Sequence, residues 1–257
     1  MAKKKSIHKK PAKKVNPIVQ KAHPWRICPL GYYFVKEHLR KRLGKVETVH
    51  SYCAKNPSGR DQLYDDEIEE VSGSAPFRKA KPLPASNSFD FGKKGNADDT
   101  LIAGWVQYWN DVLQPKEKLD PDLVKALIAS ESSFESNLRI KAGARNYANG
   151  LTQITDKTLT ALRNEDGELS DQYVHVTKKE VMNPSSNICA GVRWLFQKQK
   201  LASGKLNRSA SWIESVGEYK SAIKSYHSKN VIYDQHAMQN FLSQYQWIKT
   251  GVRPKKK

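Results

Sequence analysis

The chain has 257 residues, a formal net charge of +18 and 38% hydrophobic residues. That length suits one large domain or a core domain with a smaller module, and the apolar share permits a packed core without a generous one. No segment approaches the roughly 20 apolar residues of a membrane span, and the charged start is not followed by the apolar stretch of a secretory signal peptide.

The charge sits at the ends. Residues 1–22 carry eight lysines and no acid, and Arg253 to Lys257 add four positive charges, which leaves only +6 for residues 23–252. Such Lys/Ala/Pro-rich tails bury no apolar surface and are expected to be disordered. They suit polyanions: nucleic acid, anionic headgroups or anionic cell-wall polymers. A lysine run has no base-reading geometry, however, and the body lacks the basic and aromatic interleaving of a nucleic-acid binder. The three cysteines, Cys28, Cys53 and Cys189, are odd in number in a chain without a signal peptide, so no disulfide framework is expected.

In chain order, residues 1–22 are the first basic tail. Residues 23–70 form a small N-terminal module that opens on the aromatic-rich stretch 23–35. There Pro29 and Gly31 predict a turn and Tyr32 to Val35 a strand, with Lys45 to Cys53 as its candidate partner. His23, Cys28, His38, His50 and Cys53 lack Cys-x-x-Cys or His-x-x-x-His spacing, so no metal and no cofactor is expected. Residues 71–98, rich in Ser, Pro, Lys, Gly and Asn, read as a linker.

Residues 99–250 read as a mainly α domain, before a second basic tail over 251–257. Leu101, Trp105, Tyr108, Trp109 and Val112 fall at helical spacing. Asp120 and Pro121 predict an N-cap and first helical position for a helix ending near Glu131. Ile188, Val192, Leu195 and Phe196 predict another, with Gly204 as its terminator, and Trp212, Val216, Tyr219, Ile223 and Tyr226 one more. Cys189 falls inside an apolar helix pattern and reads as core. Leu127 and Leu123 lie four and eight residues before Glu131, which sets a carboxyl on an apolar helix face. A carboxyl group so placed loses hydration, and this favours the protonated form a general acid needs.

Three stretches then carry a resemblance: Glu-Ser-Ser-Phe (131–134), Asn-Gly-Leu-Thr-Gln-Ile-Thr (149–155) and Asn-Pro-Ser-Ser-Asn-Ile-Cys-Ala-Gly-Val-Arg-Trp-Leu (183–195). In this order they resemble the soluble lytic transglycosylases, whose pattern is Glu-Ser-x-Phe ending a helix, Gly-Leu-Met-Gln-Ile, an Asn-Ile-x-x-Gly helix and a late Ala-Tyr-Asn. The resemblance covers about residues 100–250 and implies a lysozyme-like, mostly α fold. It implies cleavage of the MurNAc-β-1,4-GlcNAc bond of peptidoglycan with formation of 1,6-anhydroMurNAc ends, and Glu131 as the sole general acid and base.

By the same resemblance Gly150, Leu151, Gln153 and Thr155 line the substrate cleft. Tyr226, in Lys-Ser-Tyr-His-Ser (224–228), stands for the late tyrosine and orients Glu131. Thr152 departs from the pattern's Met, and His227 from its Asn. Glu135 and Asp156 are poor candidates for a second carboxylate. The competing reading of Glu131 is a structural ion pair with Arg139 or Arg193. That of Gln153 is satisfaction of backbone groups, and that of Tyr226 a core aromatic. The partners expected are peptidoglycan strands, a secretion-system or phage component through residues 23–70, and anionic polymer through the tails. The expected setting is cytoplasmic synthesis and non-classical delivery to periplasm or cell wall, as for an antibacterial effector or phage-associated enzyme. A lysozyme-type hydrolase and a non-catalytic glycan-binding protein are the alternatives.

Overall fold

The computed structural model describes residues 25–254 except 30, 58, 60, 165, 168, 170, 171 and 228–230. The tail expected over 1–22, His23 and the end of the second tail, 255–257, lie outside the described residues.

The N-terminal part opens with strands β1 (Tyr32–Val35), β2 (His38–Arg42), β3 (Lys45–Val49), β4 (Tyr52–Lys55) and β5 (Gln62–Tyr64). The β1 strand falls where Tyr32 to Val35 predicted it, but its partner is β4, antiparallel, with Phe34 opposite Cys53. Residues 45–49 pair instead with β2 in a separate hairpin that is exposed along nearly its whole length. The expectation of free cysteines fails here, because Cys28 and Cys53 form a disulfide. Their pairing depends on the chain reversing between β1 and β4, which neither the count nor the spacing of cysteines reports.

Helices α1 (Asp65–Gly73) and α2 (Ala75–Arg78) follow. Residues 71–98 are not an exposed linker: Val71, Phe77, Ala80 and Phe89 are buried. Phe77 packs edge-on against Trp105, centroids 5.0 Å apart, and Phe89 stacks on Phe134 at 6.1 Å. The segment is also pinned by Lys125, whose buried ammonium donates to the Ala85 carbonyl at 3.1 Å, Asn96 Oδ1 at 2.6 Å and Asp99 Oδ2 at 2.9 Å. Few apolar residues in a Pro/Ser-rich stretch suffice when each is an aromatic seated in the core.

The rest is α3 (Asp99–Leu113), α4 (Pro121–Ser132), β6 (Arg139–Gly143), β7 (Asn146–Asn149), β8 (Ile154–Thr155), α5 (Asp156–Leu162), β9 (Tyr173–His175), α6 (Pro184–Leu206), α7 (Trp212–Tyr219), β10 (Ile223–Tyr226), β11 (Val231–Tyr233) and α8 (Gln235–Thr250). This mainly helical body is the expected class, with a small three-stranded antiparallel sheet of order β6-β7-β8 added. One core cluster takes in Trp105 and Trp109 of α3, Leu123 and Leu127 of α4, Ile188 and Leu195 of α6, and Ile68 and Phe77 from the N-terminal side. The parallel β5–β9 pair, Trp25 Nε1 to Asp111 Oδ2 at 3.0 Å and Ser186 Oγ to Asp65 Oδ1 at 2.6 Å fasten that side to the helical body.

Two helix ends differ from expectation. Gly204 does not stop α6, which runs to Leu206 and closes on Asn207 with φ +52°. The run expected as a helix from Trp212 to Tyr226 breaks after Tyr219. Ser221 turns to φ +53°, and residues 223–226 pair with β11 as a strand. Both faces carried apolar residues at spacings that either structure accepts. Among the described residues no helix is long and apolar enough to cross a membrane.

Candidate active site

The site is built around the end of α4. Asp120 caps this helix, accepting from Asp122 N at 3.0 Å, and Pro121 opens it, as the sequence predicted. Leu123 and Leu127 are buried, so the row they share with Glu131 runs along the core and surfaces at the last turn. There Ser133 and Phe134 take φ of +53° and +62° and turn the chain sharply away. The Glu131 side chain is 17% exposed, anchored in the body yet open to a ligand.

Its partner is neither Arg139 nor Arg193. The Arg139 guanidinium lies over the Tyr147 ring at 4.3 Å, and Arg193 Nε donates to the Gln172 carbonyl at 2.9 Å. The Glu131 carboxylate is ion-paired with Lys220, just past the end of α7. The neighbouring acids are engaged elsewhere. Glu135 is exposed and paired with Lys94. Asp156 starts α5, accepting from Lys178 Nζ at 2.8 Å and Asn149 Nδ2 at 3.2 Å. Burial opposes its charge, but those two hydrogen bonds together with the Lys178 and Arg139 charges outweigh it and hold its carboxyl below the ordinary value.

The 149–155 segment is held by Asn187 of α6. Asn187 Nδ2 donates to the Asn149 and Val181 carbonyls, each at 2.9 Å, and its Oδ1 accepts from Thr152 N at 2.8 Å and Thr152 Oγ1 at 2.7 Å. This explains two glycines physically. A Cβ on Gly150, which also has φ +68°, would meet Asn187 Nδ2 at 2.3 Å, and one on Gly191 would meet Thr152 Oγ1 at 2.5 Å. Gly150 therefore makes room for Asn187, and Thr152 fills the space beneath α6.

The other residues expected in the cleft are placed as follows. Leu151 is fully buried. Gln153, at φ +52°, donates from Nε2 to the Gly150 carbonyl at 2.7 Å, which matches the reading of a side chain satisfying backbone. Thr155 caps α5, accepting from Thr158 N at 3.1 Å. Tyr226 does not meet Glu131. Its hydroxyl donates to Glu218, and burial followed by that hydrogen bond pushes the phenol up to about 12.

The tyrosine whose phenol feels the Glu131 charge is Tyr219, at the end of α7. Its hydroxyl donates to the Thr152 carbonyl at 2.7 Å. Burial, and then the nearby Glu131 charge, raise its phenol above the ordinary value. Tyr219 stands in Glu-Tyr-Lys (218–220), a second stretch that carries the tyrosine of the late Ala-Tyr-Asn pattern.

Glu131, the 149–155 segment, Asn187 and Tyr219 all fall inside residues 108–235, which match the family model of the Transglycosylase SLT domain. This stretch of the chain belongs to that family, whose members are lytic transglycosylases acting on peptidoglycan. No curated protein and no solved structure matches the chain.

Proposed function

We propose that the protein is a peptidoglycan lytic transglycosylase that uses Glu131 as its single acid and base. The observation that carries this reading is the Glu131 carboxyl itself, fixed at the last turn of α4 beside Tyr219 and still reachable from solvent.

In the proposed reaction the Glu131 carboxyl gives its proton to the glycosidic oxygen, and the C1–O bond of MurNAc breaks. The substrate's own acetamido oxygen stabilises the cationic C1, the part a second carboxylate plays in two-carboxylate glycosidases. The Glu131 carboxylate then takes the proton of the C6 hydroxyl, and O6 bonds to C1 to close the 1,6-anhydro ring. Proton and electron pair balance without water. Before the first step Glu131 must part from Lys220. Tyr219, bonded to the Thr152 carbonyl, ties the end of α7 to the 149–155 segment.

In this reading the substrate residues are Gly150, Leu151, Gln153 and Thr155 through the segment they build, with Tyr219 taking the place given to Tyr226. Cell-wall delivery as an antibacterial effector or phage-associated enzyme, docking through residues 23–70 and wall adsorption through the basic tails belong to the same proposal.

The test is digestion of purified peptidoglycan by the wild type and by Glu131→Gln, with products weighed by mass spectrometry. Anhydro-ended muropeptides from the wild type alone support the proposal. Reducing-ended products make the protein a lysozyme-type hydrolase, because only water access to C1 separates the two outcomes. No cleavage by folded protein leaves a glycan-binding module.

A further inference from the structure

The Lys220–Glu131 pair has a chemical consequence. Glu131 lies in the last turn of α4, where the carbonyl ends of a helix disfavour an anion, and Lys220 offsets that in the free protein. Both side chains are largely withdrawn from solvent, Lys220 at 12% and Glu131 at 17% exposed. To act as an acid, Glu131 must be neutral, and at that moment the Lys220 ammonium loses its charge partner. A poorly hydrated ammonium without an anion is costly.

Among the described residues no replacement is evident. Of the other acids on α7, Glu214 is bound by Arg208 and Glu218 by Lys205 and Tyr226. Asp234 lies 3.7 Å from Lys224. The Tyr219 hydroxyl already donates to Thr152.

We infer that Lys220 passes from Glu131 to a carboxylate of the substrate when the glycan binds, and so makes the enzyme select carboxylate-bearing strands. The inference rests on Glu131 being the acid. Peptidoglycan has two sources of that anion: the lactyl carboxylate of a peptide-free muramic acid, and the carboxylates of the stem peptides. An amide side chain in place of Lys220 has no such requirement. The exchange replaces one ammonium–carboxylate contact by another, so it adds selectivity with little net change in charge pairing.

The experiment measures kcat and KM of the wild type, Lys220→Met and Lys220→Arg on two strand preparations. One is stripped of stem peptides and the other retains them, and each is used as such and after its carboxyls have been converted to primary amides. Masking should raise the wild-type KM about tenfold or more in at least one preparation, the factor expected for a hydrogen bond to a charged group. Lys220→Met should begin at that raised KM and not respond to masking, with kcat within a few-fold, and Lys220→Arg should keep the wild-type response. The preparation in which the effect occurs identifies the carboxylate.

Binding supplies an independent readout. Glu131→Gln leaves Lys220 without its resting partner, so this variant should bind unmasked strands more tightly than the wild type, and masked strands no better. Equal responses of the wild type and Lys220→Met to masking, or a Lys220→Met that loses kcat at unchanged KM, would overturn the inference and leave Glu131 as the acid. Wild-type cleavage that persists in Glu131→Gln would remove the acid assignment and the inference together.

Discussion

Glu67 and Glu131 each meet a cation, in two different regions of the molecule. Glu67, on α1, is fully buried with Arg26 Nε at 3.5 Å, and Arg26 also pairs with Asp61. Burial raises the Glu67 carboxyl above its ordinary value, with the Arg26 charge pulling the other way. Glu131 keeps part of its surface open and meets a single lysine from another helix. A strained, buried carboxyl is therefore no sign of chemistry by itself. Glu67 is fully buried and serves the packing of the N-terminal part, whereas Glu131 combines a fixed backbone with a partly exposed side chain. Access separates the two more clearly than electrostatics does.

That contrast is open to direct attack. Glu131→Gln should lower kcat on peptidoglycan by roughly 10³-fold or more in protein that still folds, with a lowered melting temperature because Lys220 loses its partner; substantial residual turnover would put the chemistry elsewhere. Asn187→Ala removes four side-chain hydrogen bonds and should cost about 3 kcal/mol in urea unfolding, with catalysis impaired because the 149–155 segment loosens.

Glu67→Gln should cost about 2 kcal/mol and leave kcat of the folded protein alone, the reverse of the Glu131 result for kcat. Its pH signature follows from the raised carboxyl. Glu67 contributes stability in full below the ordinary glutamate range, and that contribution is lost as pH rises through its higher folded value. The variant should therefore lack that part of the decline in stability on alkalinisation, measured by unfolding across the range. The smallest effects separate two tyrosines. Tyr219→Phe should reduce kcat about tenfold by freeing the Thr152 carbonyl, while Tyr226→Phe, which loses its bonds to Glu218 and Lys205, should change kcat less than about twofold.

Much of the site was legible because it depends on local chemistry. Asp120-Pro121 announced the start of α4, the leucine row placed Glu131, and Asn187 and Gly191 stand at the spacing that interlocks with Thr152. What escaped depends on distant pairing. Nothing at Ser221 signals a positive φ, so the apolar run from Trp212 to Tyr226 hid a helix end and a strand that turns the Tyr226 hydroxyl to Glu218. The segment around Phe77 and Phe89 looked like a tether because composition averages away two aromatics that reach the core. Substrate roles expected of Gly150, Gln153 and Thr155 turn out to have immediate structural uses that a sequence cannot rank against binding.

The Cys28–Cys53 bond gives the molecule a chemical history. It closes a 25-residue separation, and a link of that span restricts the unfolded chain by about 3 kcal/mol. None of the hydrogen bonds that hold Asn187 or Tyr219 passes through β1 or β4. Protein kept among thiols and protein exposed to an oxidising compartment would then share one reaction centre yet differ in how long their N-terminal strands resist a protease.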